Sequence, residues 1–306
     1  MSEITYTFRR VEQCDMCGAP RDRHKMTGMR LNASQGLRPR RAEGIAVSVK
    51  RCADCDLIFA DPLPVPANLS DHYGMPPEEY WGADQWHWQW TPDYFSTEIG
   101  HAKRLLPFAP GMKALDIGVG LGKSMKSLEH AGFEAYGIEP SEPFYDKALS
   151  IMGLDQSRVT LAAVEEAEFP KDMFDFITFG AVLEHVYSPS LALSRAMSWL
   201  KPGGIIQAEV PSSHHLIPKF LNLFFRLRGT NYVTNISPMH SPFHLFEFSL
   251  RSFEKNGRRI GYEVAHHDFT VCAIYHLPKL VHPPLRWWMR RRNSGMQIAV
   301  YLRKPA

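Results

Sequence analysis

What this sequence has little of sorts the functions it can serve. Charge of one sign is scarce: 35 basic against 32 acidic side chains leave a formal net charge of +3. That balance does not call for nucleic acid, whose phosphates are met by a concentrated basic field. No run approaches the roughly 20 consecutive apolar residues that cross a bilayer. The opening residues, MSEITYTFRRVEQ, carry no apolar secretory segment, so a cytoplasmic protein is expected. Cysteine is limited to 5 residues in 306, and four of them fall in C-x-x-C pairs. In a reducing compartment such pairs indicate metal binding rather than disulfides. With 44% hydrophobic and 22% charged residues, the chain can bury a full α/β core and carry a small appendage.

What is present is a glycine-rich turn. Residues 114 to 123 read ALDIGVGLGK, an apolar strand carrying Asp116 and then the alternate glycines Gly118, Gly120 and Gly122, with Glu139 closing the next apolar run. Glycine lets a strand turn tightly into a helix and lets a ligand approach the backbone, because no Cβ stands in the way. A carboxylate ending the second strand suits the two hydroxyls of a ribose. The spacing departs from the G-x-G-x-x-G of nicotinamide dinucleotide sites. Asp116 would repel a pyrophosphate and attract a ligand carrying an amino group and a sulfonium centre. Apolar periodicity predicts strands at 113–117, 134–139, 159–163 and 204–210 and helices near 94–107, 122–131, 142–152 and 189–200.

These residues resemble the class I S-adenosylmethionine-dependent methyltransferases, whose first motif is an acid followed by G-x-G-x-G. The likeness runs over roughly 94 to 304 and continues through FDFITFGAVLEHV, residues 174 to 186, and the KPGG turn, residues 201 to 204. It implies an α/β, Rossmann-like seven-stranded sheet, completed by an antiparallel strand at 297–303 that pairs with 262–270. It further implies S-adenosylmethionine held by Asp116, Gly118, Gly120, Gly122 and Glu139. Adenine contacts would fall at Ala163, Val164 and Glu165, with Gly180 and Ala181 passing under the methionine moiety.

The cysteine pairs, Cys14 with Cys17 and Cys52 with Cys55, read as two knuckles that together offer Zn2+ four tetrahedral ligands and no open position. The long gap between them makes 26–41 an expected loop. Cys272, alone in an apolar stretch, reads as an inert buried thiol. Similar cysteine modules precede the methyltransferase domain in bacterial enzymes that methylate deoxysugars and polysaccharides, and the exit CADCDLIFADP shares their style. The chain thus divides into a zinc-ribbon-like module (1–62), an aromatic linker (63–93) and a methyltransferase domain (94–306). Pro62, Pro64 and Pro66 are expected to break regular structure at the first boundary. Tyr73, Tyr80, Trp81, Trp86, Trp88, Trp90, Tyr94 and Phe95, with His72 and His87 among them, either pack the ribbon onto the main domain or wall a substrate pocket. Tyr73 and Tyr80 are the substrate candidates.

Methyl transfer from a sulfonium needs a positioned acceptor and removal of its proton, and one histidine suffices. His185, just past strand four, is the first candidate, followed by His240 and His244 in the segment that covers the acceptor site in the superfamily. His244 could instead cap the helix that follows it. Glu184 with His185 alone makes a thin magnesium site, and none is assigned. Residues 214–227 and 277–292 mix apolar and basic side chains. They read as a substrate lid and homodimer contact, or as a peripheral membrane contact, with prolines keeping both segments short. The expected function is methyl transfer to a small molecule or glycan, at oxygen by preference. The rivals are a C-methyltransferase acting on a keto-deoxysugar and a non-catalytic binding module. The N/D-P-P-Y/F signature of enzymes acting on nucleic-acid bases is missing, so no nucleic-acid partner is expected.

Overall fold

Apolar alternation and well-placed caps fix most elements where the sequence predicts them. The computed structural model describes residues 5–31, 45–68, 74–81, 89–240, 242–271, 274 and 278–306. The chain opens with β1 Tyr6–Arg9, β2 His24–Leu31, β3 Ala46–Cys52, β4 Ile58–Ala60, β5 Leu63–Pro66 and the short helix α1 Pro77–Trp81. There follow α2 Ser96–Leu105, β6 Lys113–Ile117, α3 Lys123–His130, β7 Glu134–Glu139, α4 Glu142–Met152, β8 Val159–Leu161, β9 Phe174–Gly180 and α5 Pro189–Trp199. The last part holds β10 Leu200–Pro211, α6 Leu216–Leu227, β11 Phe246–Glu247, α7 Leu250–Ile260, β12 Glu263–Thr270, α8 His282–Arg291 and β13 Gln297–Arg303. Ser141, Ser188 and Ser249 each accept a first-turn backbone N–H at the starts of α4, α5 and α7. These side chains satisfy donors that a helix leaves unpaired at its N-terminus.

Seven strands form one sheet in the order β12-β13-β10-β9-β6-β7-β8, with β13 antiparallel to both its neighbours, as the 297–303 assignment requires. The order reverses between β6 and β9, and a crevice opens at the carboxyl ends of the strands there. Along β13 the pleat sends Ile298, Val300 and Leu302 to one core and Ala299 and Tyr301 to the other, so helices cover both faces.

The cysteine region is less separate than its sequence suggests. β2, β3 and β4 form a sheet whose fourth strand is β11, supplied by the segment after β10. One continuous core joins Met16, Val49, Leu57 and Phe59 to Ile236, Phe248 and Phe253. Asp15 accepts from Ser188 Oγ at 2.8 Å and from the Ser190 N–H at 2.7 Å, placing a knuckle carboxylate at the N-terminus of α5.

Several local expectations change. Pro64 and Pro66 do not end regular structure; they lie in β5, which pairs antiparallel with β1, an edge position where a missing N–H costs nothing. Residues 26–31, expected in a loop, continue β2. Pro218, Pro283 and Pro284 sit in the first turns of α6 and α8, where proline starts a helix instead of shortening it. His244 caps no helix, since β11 intervenes and Ser249 caps α7. Tyr73, Cys272 and the residues His72, Trp86, His87 and Trp88 lie outside the described residues. Among the described residues no helix is long and apolar enough to cross a membrane, although α6 and α8 expose Phe220, Leu227, Trp287 and Trp288.

Candidate active site

A cavity of about 590 Å³ opens where β6, β7 and β9 end, within the range of small-molecule sites. The three glycines of the turn at its floor have different jobs. A Cβ on Gly118, at φ +76°, would come within 2.5 Å of Val182 Cγ2, so only glycine fits between the loop and the exit of β9. Gly120, at φ +55°, lines the cavity, and its Cβ would find nothing closer than 3.9 Å. Gly122 forms the N-cap of α3 without lining the cavity, and its Cβ would press on Leu154 at 2.8 Å. Gly137 was not legible as a motif residue; it keeps β7 clear of Val119, which a Cβ would meet at 2.3 Å.

Glu139 lines the cavity and also ties the turn together. One carboxylate oxygen accepts from the Gly120 N–H at 2.7 Å, the other from the Ser141 N–H at 2.9 Å. Burial pushes its carboxyl up to about 7 despite these two bonds. Asp116 does not line the cavity. It is buried behind the glycine turn with Oδ2 unpartnered, and burial together with the Glu139 charge pushes its carboxyl up to about 8. Two carboxyls in one dry region cannot both ionise cheaply unless a cation joins them.

The remaining wall carries most of the other predicted residues. Ala163, Val164 and Glu165 follow β8, and Gly180 and Ala181 lie at the exit of β9. Ala181 holds φ +56°, a left-handed conformation unusual for a residue with a Cβ, and its N–H donates to Glu209 O at 3.0 Å. Tyr80 also lines the cavity, donating to Pro242 O at 3.0 Å and meeting Phe144 edge-on at 5.9 Å between centroids. Tyr94 and Lys123 also line the cavity; their roles had no signal in motif spacing, because the turn before α2 and the start of α3 place them there.

His185 and His244 meet at one end of the cavity, their rings edge-to-face with centroids 4.9 Å apart. Nε2 of His185 lies 4.0 Å, and Nε2 of His244 3.9 Å, from the same oxygen, Oε1 of buried Glu184. Burial raises the Glu184 carboxyl to about 8 and lowers the His244 imidazole to about 4. His240 is not brought into this group. Its Nε2 accepts from the Arg30 guanidinium of β2 at 3.1 Å, and burial with that neighbouring cation lowers it to about 4.

The four knuckle cysteines do converge. Sγ of Cys14 lies 3.4 Å from Sγ of Cys55, and Sγ of Cys17 lies 3.6 Å from Sγ of Cys52. Tetrahedral zinc with bonds of about 2.3 Å sets neighbouring sulfurs about 3.8 Å apart, so this arrangement fits the ion closely. The matching turns, Gly18 N–H to Cys14 O at 2.8 Å and Asp56 N–H to Cys52 O at 2.9 Å, make the two knuckles near copies.

A family model described as a methyltransferase domain matches residues 96–267. Over 100 residues the chain is 31% identical to the ubiquinone biosynthesis O-methyltransferase of Bradyrhizobium diazoefficiens, covering 31% of this chain and 38% of that protein. It is 26% identical over 132 residues to phosphoethanolamine N-methyltransferase 2 of Caenorhabditis elegans, covering 40% and 30% respectively. The chain therefore spans less than half the length of either relative. Among solved structures, a putative methyltransferase of Haloferax volcanii, captured with a methyltransferase activator, superposes with a TM-score of 0.50 at 16% identity. That match covers 70% of this chain and 94% of the other and speaks to the fold alone.

Proposed function

The chain belongs to the methyltransferase-domain family, and from that premise we propose that it transfers the methyl group of S-adenosylmethionine to an oxygen of a small molecule or glycan. One observation carries the reading: a single cavity is floored by Gly118, Gly120 and Glu139 and ended by His185 and His244. Glu139 would accept the ribose hydroxyls, and Ala163 to Glu165 would face the adenine. Gly180 and Ala181 would pass beneath the amino-acid portion, with Asp116 balancing its positive charge from behind the turn. When bound, the cofactor supplies an electrophilic methyl on a sulfonium.

The chain must then orient an acceptor and take its proton. His185, exposed to the cavity beside Val186 and Tyr187, is assigned that task. Tyr80 and Phe243 also line the cavity and would exclude water from the transfer. The resemblance to an O-methyltransferase and the size of the cavity both support a small hydroxylated acceptor. The cysteine cluster is assigned a closed structural zinc with no part in the chemistry.

Calorimetric titration of the full chain with S-adenosylmethionine and S-adenosylhomocysteine tests the first half of this reading. Product mass after incubation with phenols and nucleotide-sugars tests the second. Absence of both heat and thermal shift with either cofactor form sinks the enzyme reading.

A further inference from the structure

We propose that Glu184, His185 and His244 form a binding site for a divalent transition-metal ion at the acceptor end of the cavity, distinct from the cysteine cluster. Each residue offers one ligand atom, and all three atoms lie within 4.8 Å of one another. Ligands held at about 2.1 Å around one ion stand roughly 3 to 3.5 Å apart. The observed 3.9 and 4.0 Å from the imidazoles to Glu184 Oε1 need only small side-chain rotations to reach that spacing.

A second observation points to a ligand. Glu184 is 1% exposed, and its Oε2 has no hydrogen-bond partner. A buried carboxyl oxygen without a partner is costly, and a cation removes that cost. The backbone around the three residues is fastened: Leu245 N–H donates to Glu184 O at 2.7 Å, and His185 N–H donates to Val182 O at 2.9 Å. The His244 N–H donates to Ser237 Oγ at 3.2 Å. The other mixed histidine–aspartate group differs in kind. There His101 and His266 stack flat and His266 bonds Asp268 at 2.8 Å, and Asp268 is exposed, with no unpartnered buried oxygen to draw an ion.

Two imidazoles and one carboxylate suit zinc, manganese, iron or cobalt better than magnesium or calcium. Three protein ligands leave coordination positions open, and because both histidines line the cavity those positions face it. The ligand class that fits is a hydroxyl, or a pair of adjacent hydroxyls, on the acceptor. Bound there, with His185 a metal ligand in place of the proton acceptor it would be in the metal-free site, the acceptor O–H breaks with its proton leaving to solvent, and the oxygen keeps the electron pair on the metal. That pair then forms the O–CH3 bond as the C–S bond breaks, its electrons staying on sulfur. This role rests on the methyl-transfer reading; metal binding itself does not.

The test uses the full chain with its cysteine-bound metal retained, and neither cofactor nor acceptor. Manganese(II) binding is followed by loss of the free-ion paramagnetic resonance signal, and cobalt(II) binding by visible absorption. One manganese per chain is expected beyond the cysteine-bound ion, weakened more than about tenfold in Glu184→Gln and in His244→Gln. The cobalt spectrum of the added ion should lack thiolate charge-transfer bands. The proposal is overturned if the wild type takes up no second ion of manganese, cobalt or zinc, or if both variants bind as the wild type does. Should either variant fail to fold, the wild-type cobalt spectrum decides alone, and thiolate bands without a nitrogen–oxygen component overturn it. A protein that binds the second ion yet shows neither heat nor thermal shift with S-adenosylmethionine or S-adenosylhomocysteine upholds this site and refutes the other reading.

Discussion

Replacing Gly120 by alanine separates the folding role of the glycine turn from its binding role. Gly120 sits at φ +55°, and Gly153, which ends α4, sits at φ +65°. Neither would crowd a new methyl group: the nearest atom to a Gly120 Cβ is 3.9 Å away, and Gly153 has nothing within 4 Å. Each substitution therefore costs only the left-handed strain, about 1–2 kcal/mol. At about 2–4 °C per kcal/mol for a chain of this order, both variants should melt roughly 2–8 °C below the wild type. Only Gly120 lines the cavity, so only its methyl group occupies space a ligand would use. Calorimetry with S-adenosylhomocysteine should show Gly153→Ala binding as the wild type, and Gly120→Ala weakened by more than about tenfold, or 1.4 kcal/mol. Gly118→Ala would not serve, because its contact with Val182 would confound strain with clash. Equal affinities for Gly120→Ala and Gly153→Ala would show that the cofactor does not sit on this turn.

Three further outcomes follow from the same geometry. Asp116, Glu139 and Glu184 are raised to about 8, 7 and 8, so between pH 7 and 8 the ligand-free fold holds more protons than the unfolded chain and its stability should fall as pH rises. The buried histidines, lowered to about 4, are neutral in the fold but half protonated in the unfolded chain near pH 6.5, so they oppose the trend at that end; above about pH 7 the carboxyls dominate, and a melting temperature that climbs from pH 7 to 8 contradicts the buried-carboxyl assignment. Cys14→Ser should lower zinc content by about one ion per chain relative to the wild type by elemental analysis. Because the ribbon shares its core with the main sheet, the whole unfolding transition should move, and an unchanged main transition would argue against that shared core. His185→Ala should cut turnover by at least about a hundredfold while cofactor affinity stays within a few-fold, and a turnover within threefold of wild type would remove His185 from the proton-transfer role.

The parts of the fold legible in the sequence are those set by local spacing. Strands β6, β7 and β13 and helix α4 coincide with the predicted ranges because alternation, Ser141 and Gly153 define them within one element. Glycine spacing located the cavity floor, yet it could not show that Asp116 stands behind that floor and Glu139 in it. Side-chain direction depends on how the turn folds back, with Gly118 N–H donating to Ile138 O at 2.8 Å. Gly137 escaped for the same reason: nothing in E-A-Y-G-I-E says that Val119 will press against its Cα.

What spacing could not convey is partnership across long sequence separations. His185 and His244 are 59 positions apart, and the hydrogen bond from Leu245 N–H to Glu184 O ties the second beside the first. His240, four residues earlier, is drawn instead to Arg30 of β2, which also donates to Val233 O at 3.2 Å. The cysteine sheet thus grips the 231–244 segment through Arg30, completes itself with β11 and orders the stretch that carries His244 into the cavity. A module that reads as an appendage in the sequence is, in the folded chain, the support of one wall of the candidate site. A metal held by the four cysteines would act on the chemistry only through that support, by fixing where His244 stands.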